Sequence, residues 1–248
     1  MARRFNTTAA NYLTITYAPV TAVPLTMACW FRCTSDSVTG IVMGLGNLGA
    51  TNQNFYLAAR GAVAGDPVSF ACRNGGSASF ADTTTGYSIN KWHHACGVAT
   101  STTLRDVYID GGSTGQNTTS LTPTGISGIR IGASASSNVP TIHTGEVAKA
   151  AIWNVALSIP EIRALAGGVD PIEIRRGNLV FYPELSWNAA VDLLTGKPIG
   201  HVNHPSVDFD PPVFLYERIF RYPPVAAPAA ANNIRAAVYH HRHHNLAG

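Results

Sequence analysis

The sequence predicts an all-β fold: an antiparallel two-sheet β-sandwich with one short helix and an extended C-terminal arm. About ten short runs of alternating or continuous apolar residues occupy the first 155 positions. Gly, Asn, Ser and Thr separate these runs and supply turn signals at close spacing. A helical period is almost absent from the same region. Many short strands between frequent turns are typical of sandwiches rather than of α/β folds.

The predicted strands follow one another along the chain, each closed by a turn signal. Asp110-Gly111-Gly112 is the clearest of these signals, because glycine tolerates the positive φ of a hairpin turn. The ten strands are Tyr12–Thr16, Leu25–Arg32, Ile41–Leu45, Phe55–Ala59, Val68–Cys72, Ser77–Ala81, Lys91–Val98, Arg105–Asp110, Ile129–Gly132 and Gly145–Trp153.

One helix is predicted, over Ile159–Ala166. Ser158 is a suitable N-cap, Pro160 stands in the first turn and Glu161 occupies the third helical position. Gly167-Gly168 provides the C-terminal stop. We expect this helix to close one end of the sandwich.

The character of the chain changes after residue 168. We therefore divide it into a sandwich (1–168), an extension that packs on the sandwich (169–212) and a C-terminal arm (213–248). Leu179–Pro183 is a predicted strand of the extension. In the arm, Pro residues alternate with aromatic residues and Arg, and the alternation over Val213–Phe220 predicts one more strand.

Composition excludes several classes of protein. Hydrophobic residues make up 46% of the 248 positions, enough for a large core, so disorder is not expected over most of the chain. The net charge of +3 lacks the clustered Lys and Arg of a nucleic-acid surface. No run is long enough to predict a membrane span, and MARRFNTTAANYL has no apolar segment typical of a secretory signal. Charged residues are only 12% of the chain, so little charge repulsion opposes association of the surface with neighbouring molecules.

The four cysteines are predicted to be free buried thiols. Cys29 and Cys33 lie in one predicted strand, about 13 Å apart at the rise of a β-strand, too far to form a disulfide with each other. Cys72 and Cys96 lie in two further predicted strands. Without a secretory signal, reduced cysteines are the expected state.

The order of the strand motifs resembles the laminin-G-like, concanavalin-A-like jelly roll over about residues 4–168. The residues that carry the resemblance are LTMACWF at 25–31, KWHHACGV at 91–98, VYIDG at 107–111, IRIG at 129–132 and GEVA…IWNVALS…EI at 145–162. The resemblance implies this fold and no single function, because such folds serve lectins, adhesion modules, glycosidases and viral structural proteins.

No catalytic residues are predicted, and we expect the protein not to be an enzyme. The glucanase branch of the resembled family needs E-x-D-x-x-E on one strand, which places two carboxylates about 5 Å apart. The 14 acidic residues of this chain are scattered instead. Neither a Ser-His-Asp elbow nor a phosphate-binding glycine loop is recognisable in the sequence.

No cofactor is predicted, and a calcium ion bound at a loop rim is the alternative. Relatives in the resembled family hold calcium with Asp, Asn and backbone oxygens. His93 and His94 are adjacent on a strand and point to opposite faces, so we expect one to pack inside with a hydrogen-bond partner. His240 and His244 would share a helical face, but a solvated or partner-contacting tail is the favoured interpretation. The candidate calcium donors are Asp82, Asp106, Asp110 and Asn138.

The extension resembles the segment that follows this jelly roll in tailed-phage virion proteins. Leu179–Leu185, Asp192-Leu193 and His204-Pro205 carry that looser resemblance. The arm beyond it is rich in Tyr and Arg, the residue types that anchor interfaces. The predicted partner-binding residues are Phe214, Tyr216, Arg218, Phe220, Arg221, Tyr222, Arg235 and Tyr239.

Two functions from different classes follow. The first is a non-enzymatic phage virion protein, assembled in the bacterial cytoplasm, which decorates or cements the capsid and binds the major capsid protein or neighbouring virion subunits, as a homo-oligomer on the particle. The second is a carbohydrate-binding adhesin, which predicts calcium-dependent binding and an exposed aromatic residue with polar neighbours on the concave sheet or at a loop rim. A nucleic-acid or membrane partner is not expected.

Overall fold

Two antiparallel sheets pack face to face in the computed structural model of the chain, which describes residues 1–138, 141–185 and 191–212. The prediction of an all-β sandwich is confirmed. The strands are β1 (Ala2–Phe5), β2 (Tyr12–Ile15), β3 (Leu25–Cys33), β4 (Thr39–Gly46), β5 (Gln53–Arg60), β6 (Pro67–Asn74), β7 (Ser77–Gly86), β8 (Trp92–Ser101), β9 (Leu104–Ile109), β10 (Thr114–Asn117), β11 (Gly128–Ile131), β12 (Gly145–Trp153), β13 (Leu179–Phe181), β14 (Pro183–Glu184), β15 (Val191–Asp192), β16 (Gly200–Val202) and β17 (Ser206–Asp208).

Both sheets contain neighbouring strands that are not consecutive in the sequence. The eight-stranded sheet runs β10-β9-β8-β3-β12-β1-β17, with β13 also paired to β12. The seven-stranded sheet runs β16-β2-β11-β4-β5-β6-β7, and β14 pairs with β15 in a separate ribbon. Strands distant in sequence are therefore neighbours in space, as in β3 beside β12.

The main core lies between the two sheets and is filled by alternate residues of their strands. Phe55 and Phe70 stack there with ring centroids 6.0 Å apart. Gly97 on the facing sheet allows this close approach, because a Cβ at that position would lie 2.4 Å from the Phe70 ring. Side chains on the other face of each strand point away from the core and form the two outer faces of the sandwich.

Helix α1 spans Ile159–Ala166, the predicted range. Its capping box forms as expected: the Ser158 backbone N–H and hydroxyl both donate to the Glu161 carboxylate at 2.7 Å. Ile162 and Leu165 are buried against a cluster that includes Trp153, on the outer face of the eight-stranded sheet. Two 3₁₀ turns, Pro171–Glu173 and Arg176–Asn178, follow the helix.

Residues after the helix add strands to both sheets. β13 pairs with β12, β16 with β2 and β17 with β1. The strand predicted over Leu179–Pro183 is divided between β13 and β14, because the Tyr182 N–H donates to the Asp192 carboxylate instead of to a neighbouring strand. The strand predicted over Val213–Phe220 lies outside the described residues.

All four cysteines are buried free thiols, as predicted. Burial raises the pKa of the Cys72 thiol to about 11, so it stays protonated at neutral pH. Among the described residues, no helix has the length and apolar character that crossing a membrane requires.

Candidate functional site

The outer face of the seven-stranded sheet carries a depression between two aromatic side chains. Tyr56 on β5, Ala71 on β6 and Phe80 on β7 are paired in register across three neighbouring strands. The small Ala71 side chain, with Ala58 beside it, leaves the surface low between the larger residues. The aromatic rings and the alanines form an apolar floor on the side of the sheet away from the main core; Phe80 is partly exposed there, whereas Tyr56, Ala58 and Ala71 are buried, with 5%, 0% and 0% exposure.

A returning loop at residues 133–138 forms one wall of this depression. It crosses β4 at Gly44 and Gly46, where an added Cβ would lie 2.8 Å and 2.3 Å from the backbone of Ala135. The Asn54 amide holds the loop, since its Nδ2 donates to Ser134 Oγ at 3.0 Å and to the Ala135 carbonyl at 3.2 Å. The two glycines are thus required for the loop to lie flat on the sheet.

Floor and wall enclose a groove of about 290 Å³, close to the lower end of the range for small-molecule sites. Its lining combines apolar, hydroxyl, amide and guanidinium groups. The lining residues are Thr39, Ile41, Asn52, Tyr56, Arg60, Arg73, Phe80, Ser134 and Thr141. We call this site the outer groove.

Arg60 and Asp82 form a neutral pair at one end of the outer groove. Arg60 Nη1 lies 2.8 Å and 3.0 Å from the two carboxylate oxygens of Asp82. The guanidinium carbon of Arg60 stands 4.4 Å above the centroid of the Phe80 ring. Ser69 donates a further hydrogen bond to Asp82. Both charges are consequently compensated, and the Arg60 guanidinium covers one face of the Phe80 ring.

Arg73 is held by neutral acceptors at the other side of the outer groove. Its Nε donates to the Tyr56 hydroxyl at 3.2 Å and its Nη1 donates to Asn52 Oδ1 at 3.1 Å. Burial raises the pKa of Tyr56, although the nearby Arg73 charge opposes the shift, so Tyr56 remains a neutral phenol that accepts from Arg73. Within the part of the chain that the structure describes, Arg73 forms no ion pair.

The candidate calcium donors do not meet at one site. Asp82 is bound to Arg60, Asp106 accepts from the Gln116 amide at 2.9 Å and Asn138 accepts from the Ser136 hydroxyl at 2.9 Å. Asp110 has a positive φ at the hairpin turn, as its predicted turn role requires. Over residues 1–138, 141–185 and 191–212, His, Cys, Asp and Glu form no cluster of three or more that would hold a metal ion.

The two adjacent histidines divide the roles that were predicted for one of them. His94 is the buried imidazole and packs edge-on against Trp30 at 5.6 Å, but its Nδ1 has no hydrogen-bond partner among the described residues. His93 is the hydrogen-bonded imidazole, with Asp110 Oδ2 at 2.8 Å from Nδ1 and the Ser88 backbone N–H donating to Nε2 at 3.0 Å. The predicted burial is therefore confirmed for His94, whereas the predicted hydrogen-bond partner is missing at its Nδ1.

Glu146 is a buried carboxylate on the opposite sheet, only 1% exposed. Its Oε2 lies 3.0 Å from Arg32 Nη1 and its Oε1 lies 3.4 Å from Arg4 Nε. Burial raises the pKa of Glu146, whereas the two guanidinium groups lower it. The side chain is enclosed by its ion-pair partners, so it has no open surface on which a substrate could react.

The eight predicted partner-binding residues between Phe214 and Tyr239, together with His240 and His244, lie outside the described residues. Of the outer-groove residues and their ion-pair partner, sequence reasoning selected only Asp82, and it selected Asp82 for calcium. The available signal was weak: outward positions on three successive strands combine Tyr56, Arg60, Arg73 and Phe80. Each strand taken alone has the pattern of an ordinary amphipathic strand, so it does not indicate a site.

The two antiparallel sheets and their strand order define the class of the protein as a jelly-roll β-sandwich. The chain belongs to the laminin-G branch of the Concanavalin A-like lectin/glucanases superfamily, whose family model matches residues 6–163. Among curated proteins no sequence matches significantly.

Solved structures share this fold at low sequence identity. A heptameric SAP-like pentraxin from Limulus polyphemus has a TM-score of 0.56 and 16% identity, over 68% of this chain and 84% of the pentraxin chain. A protein from Bacteroides ovatus that is assigned to carbohydrate binding has a TM-score of 0.55 and 16% identity, over 83% of this chain and 61% of that chain. The CBM40 of Ruminococcus gnavus IT-sialidase has a TM-score of 0.50 and 12% identity, over 64% of this chain and 98% of that chain. At these identities the likeness shows the fold alone.

Proposed function

We propose that the protein is a non-enzymatic carbohydrate-binding module and that the outer groove is its binding site. The observation that carries this proposal is the combination of an apolar aromatic floor with a rim of fixed polar donors. A sugar ring has C–H faces that pack on such a floor and hydroxyls that need donors and acceptors around the edge. The volume of about 290 Å³ suits a terminal sugar better than a long internal segment.

The polar groups of the rim are already oriented by the fold. Arg73 is fixed by Tyr56 and Asn52, and Ser134 is fixed by the Asn54 amide. Groups that are held before the ligand arrives lose little conformational entropy on binding. The fold neighbours add support, because one of them is assigned to carbohydrate binding and another is a carbohydrate-binding module of a sialidase.

A non-enzymatic role is part of the same proposal. Among the residues that the structure describes, the charged side chains in and beside the outer groove are two guanidinium groups and Asp82, whose carboxylate is bound by Arg60 and Ser69. Glycoside hydrolysis needs two carboxyl groups that flank the scissile bond. The outer groove offers one carboxylate at most, which favours binding over hydrolysis.

The test is a glycan array with the full chain, run with calcium and with a chelator. We expect binding that falls at least about tenfold in the variant Phe80→Ala, because the apolar floor loses its partly exposed aromatic ring. Phe209→Ala is the matched control, since Phe209 is 88% exposed and lies far along the chain from the groove-lining residues. Absence of binding to every glycan in both conditions contradicts the proposal, as does equal loss in the two variants.

A structural role in a phage virion, with the major capsid protein or neighbouring subunits as partners, is our second candidate. The observation in its favour is that the segment with the phage-like resemblance folds into strands of both sheets and buries Asp192 completely. The charge-poor composition also favours close packing beside neighbours. Deletion of residues 213–248 is expected to abolish binding to purified capsids, and undiminished binding would remove the proposed role of the arm.

A further inference from the structure

The charges around the outer groove do not cancel. Three charged groups act on the Tyr56 hydroxyl: Arg73, Arg60 and Asp82. Asp82 is bound to Arg60 at 2.8 Å, so this pair contributes little net charge. Arg73 has no carboxylate partner in the described parts of the chain. The outer groove therefore carries a net charge of one positive unit, located at Arg73.

The hydrogen bonds of Arg73 leave part of its guanidinium open. A guanidinium has five N–H donors in one plane. Arg73 uses the Nε–H for the Tyr56 hydroxyl and one Nη1 N–H for Asn52 Oδ1. The other N–H groups belong to Nη1 and Nη2, the end of the guanidinium that matches two oxygens of a carboxylate or sulfate.

The two neutral acceptors also fix the plane of the guanidinium. Tyr56 belongs to β5 and Asn52 to the turn before β5, so Arg73 is held from two points. Both acceptors leave its positive charge uncompensated. An anion that binds there gains a charge-assisted interaction beside the buried apolar side chains of Ile41 and Tyr56, where water competes less than on an open surface.

We propose that the outer groove selects an acidic sugar, one that carries a carboxylate or a sulfate, and that Arg73 binds the anionic group. This inference rests on the proposed carbohydrate-binding function and names the ligand class of that site. The sugar ring lies on the apolar floor, while its anionic substituent accepts hydrogen bonds from the outer edge of the Arg73 guanidinium. Binding weakens as salt concentration rises, because added ions screen the Arg73 charge.

The first experiment is an array in which each neutral sugar is printed beside its carboxylated and sulfated counterparts. We expect the full chain to bind acidic glycans and to bind their neutral counterparts at least about tenfold more weakly. Equal binding to neutral and acidic counterparts would overturn the acidic selectivity and leave the carbohydrate function standing. Binding to no glycan at all would overturn both. Comparison of the carboxylated glycans with the sulfated glycans on the array shows which of the two anionic groups the outer groove prefers.

The second experiment assigns the selectivity to Arg73 by titration calorimetry with the best acidic glycan of the array. Arg73→Gln is expected to lower the affinity about 10- to 100-fold and to remove the dependence on salt. Arg176→Gln is the matched control, because it removes the same charge from an exposed site in a 3₁₀ turn away from the groove lining. Equal effects of the two substitutions, or an unchanged affinity in Arg73→Gln with a native thermal transition, would refute the role of Arg73.

Discussion

Two buried histidines should make the protein less stable as the pH falls from neutrality to about 5. Burial lowers the pKa of both His94 and His143 to about 4, from a usual value of 6.5. The folded state therefore resists protonation in a range where the unfolded chain accepts protons. Because the unfolded state binds more protons there, the free energy of unfolding decreases as pH decreases, and the loss is complete below about pH 4.

The magnitude follows from the two pKa values of each imidazole. At pH 5 the linkage amounts to about 2 kcal/mol for one histidine, or about 4 kcal/mol for both. Two other groups change the total: His201, whose pKa burial also lowers, adds to the loss, and Glu146, whose pKa burial raises, opposes it. The carboxyl groups with lowered pKa, such as Asp170, act only below this pH window.

Urea unfolding of the full chain between pH 7.5 and pH 5 measures this loss. We compare the wild type with His94→Leu and His143→Leu, and use the change of unfolding free energy across the pH range as the readout, so that a constant cost of substitution cancels. Each variant is expected to lose about half of the pH dependence. His204→Leu replaces an exposed imidazole and is the control. An unchanged pH dependence in both test variants would refute this account of the buried imidazoles.

Four further substitutions test three local features: the Asp192 hydrogen bond, the packing at Gly97 and the helix cap. Asp192→Ala removes a fully buried carboxylate that accepts from the Tyr17 hydroxyl at 2.7 Å, and should lower the unfolding free energy by about 3 to 5 kcal/mol in calorimetry. Tyr17→Phe should lower it by about 1 to 2 kcal/mol. Equal losses in the two variants would contradict this account of the buried carboxylate. Gly97→Ala should lower the unfolding free energy by about 1 to 3 kcal/mol, because its Cβ would meet the Phe70 ring. A variant that is more stable than the wild type in urea unfolding would show that the two sheets move apart at this position. Glu161→Ala removes the capping box and should lower unfolding free energy by about 1 kcal/mol, a change that would be absent if the cap contributes nothing.

The long strands and the helix were predictable because their signals are local. The buried strand Leu25–Cys33 and the helix Ile159–Ala166 each bring their own apolar pattern, and the helix also brings its cap and stop residues. The shortest strands have no such pattern. Ala2–Phe5 is a strand because it pairs with β12 on one side and with Ser206–Asp208 on the other, and Ser206–Asp208 is the edge strand. No local pattern encodes these pairings.

The outer groove was unpredictable for a related reason. Its floor depends on the register that places Ala71 between Tyr56 and Phe80, and its wall depends on two glycines that admit a loop from far along the chain. A shift of one residue in either strand pairing would turn these side chains into the core. The sequence displays the residues of the site but not the pairing that brings them together.

The scarcity of charge, which at the level of the sequence indicated association with neighbours, bears differently on the outer groove. A chain with only 12% charged residues has few carboxylates to compensate a given guanidinium, and the one beside the groove is already bound to Arg60. Over a screening length of about 10 Å at 0.1 M salt, an uncompensated charge sets the sign of the local potential. Arg73 is such a charge, so a surface that is nearly neutral on average presents a positive groove to its ligand. For the acidic sugar that we propose as the ligand of this site, low charge content favours selectivity, because few other charges surround Arg73.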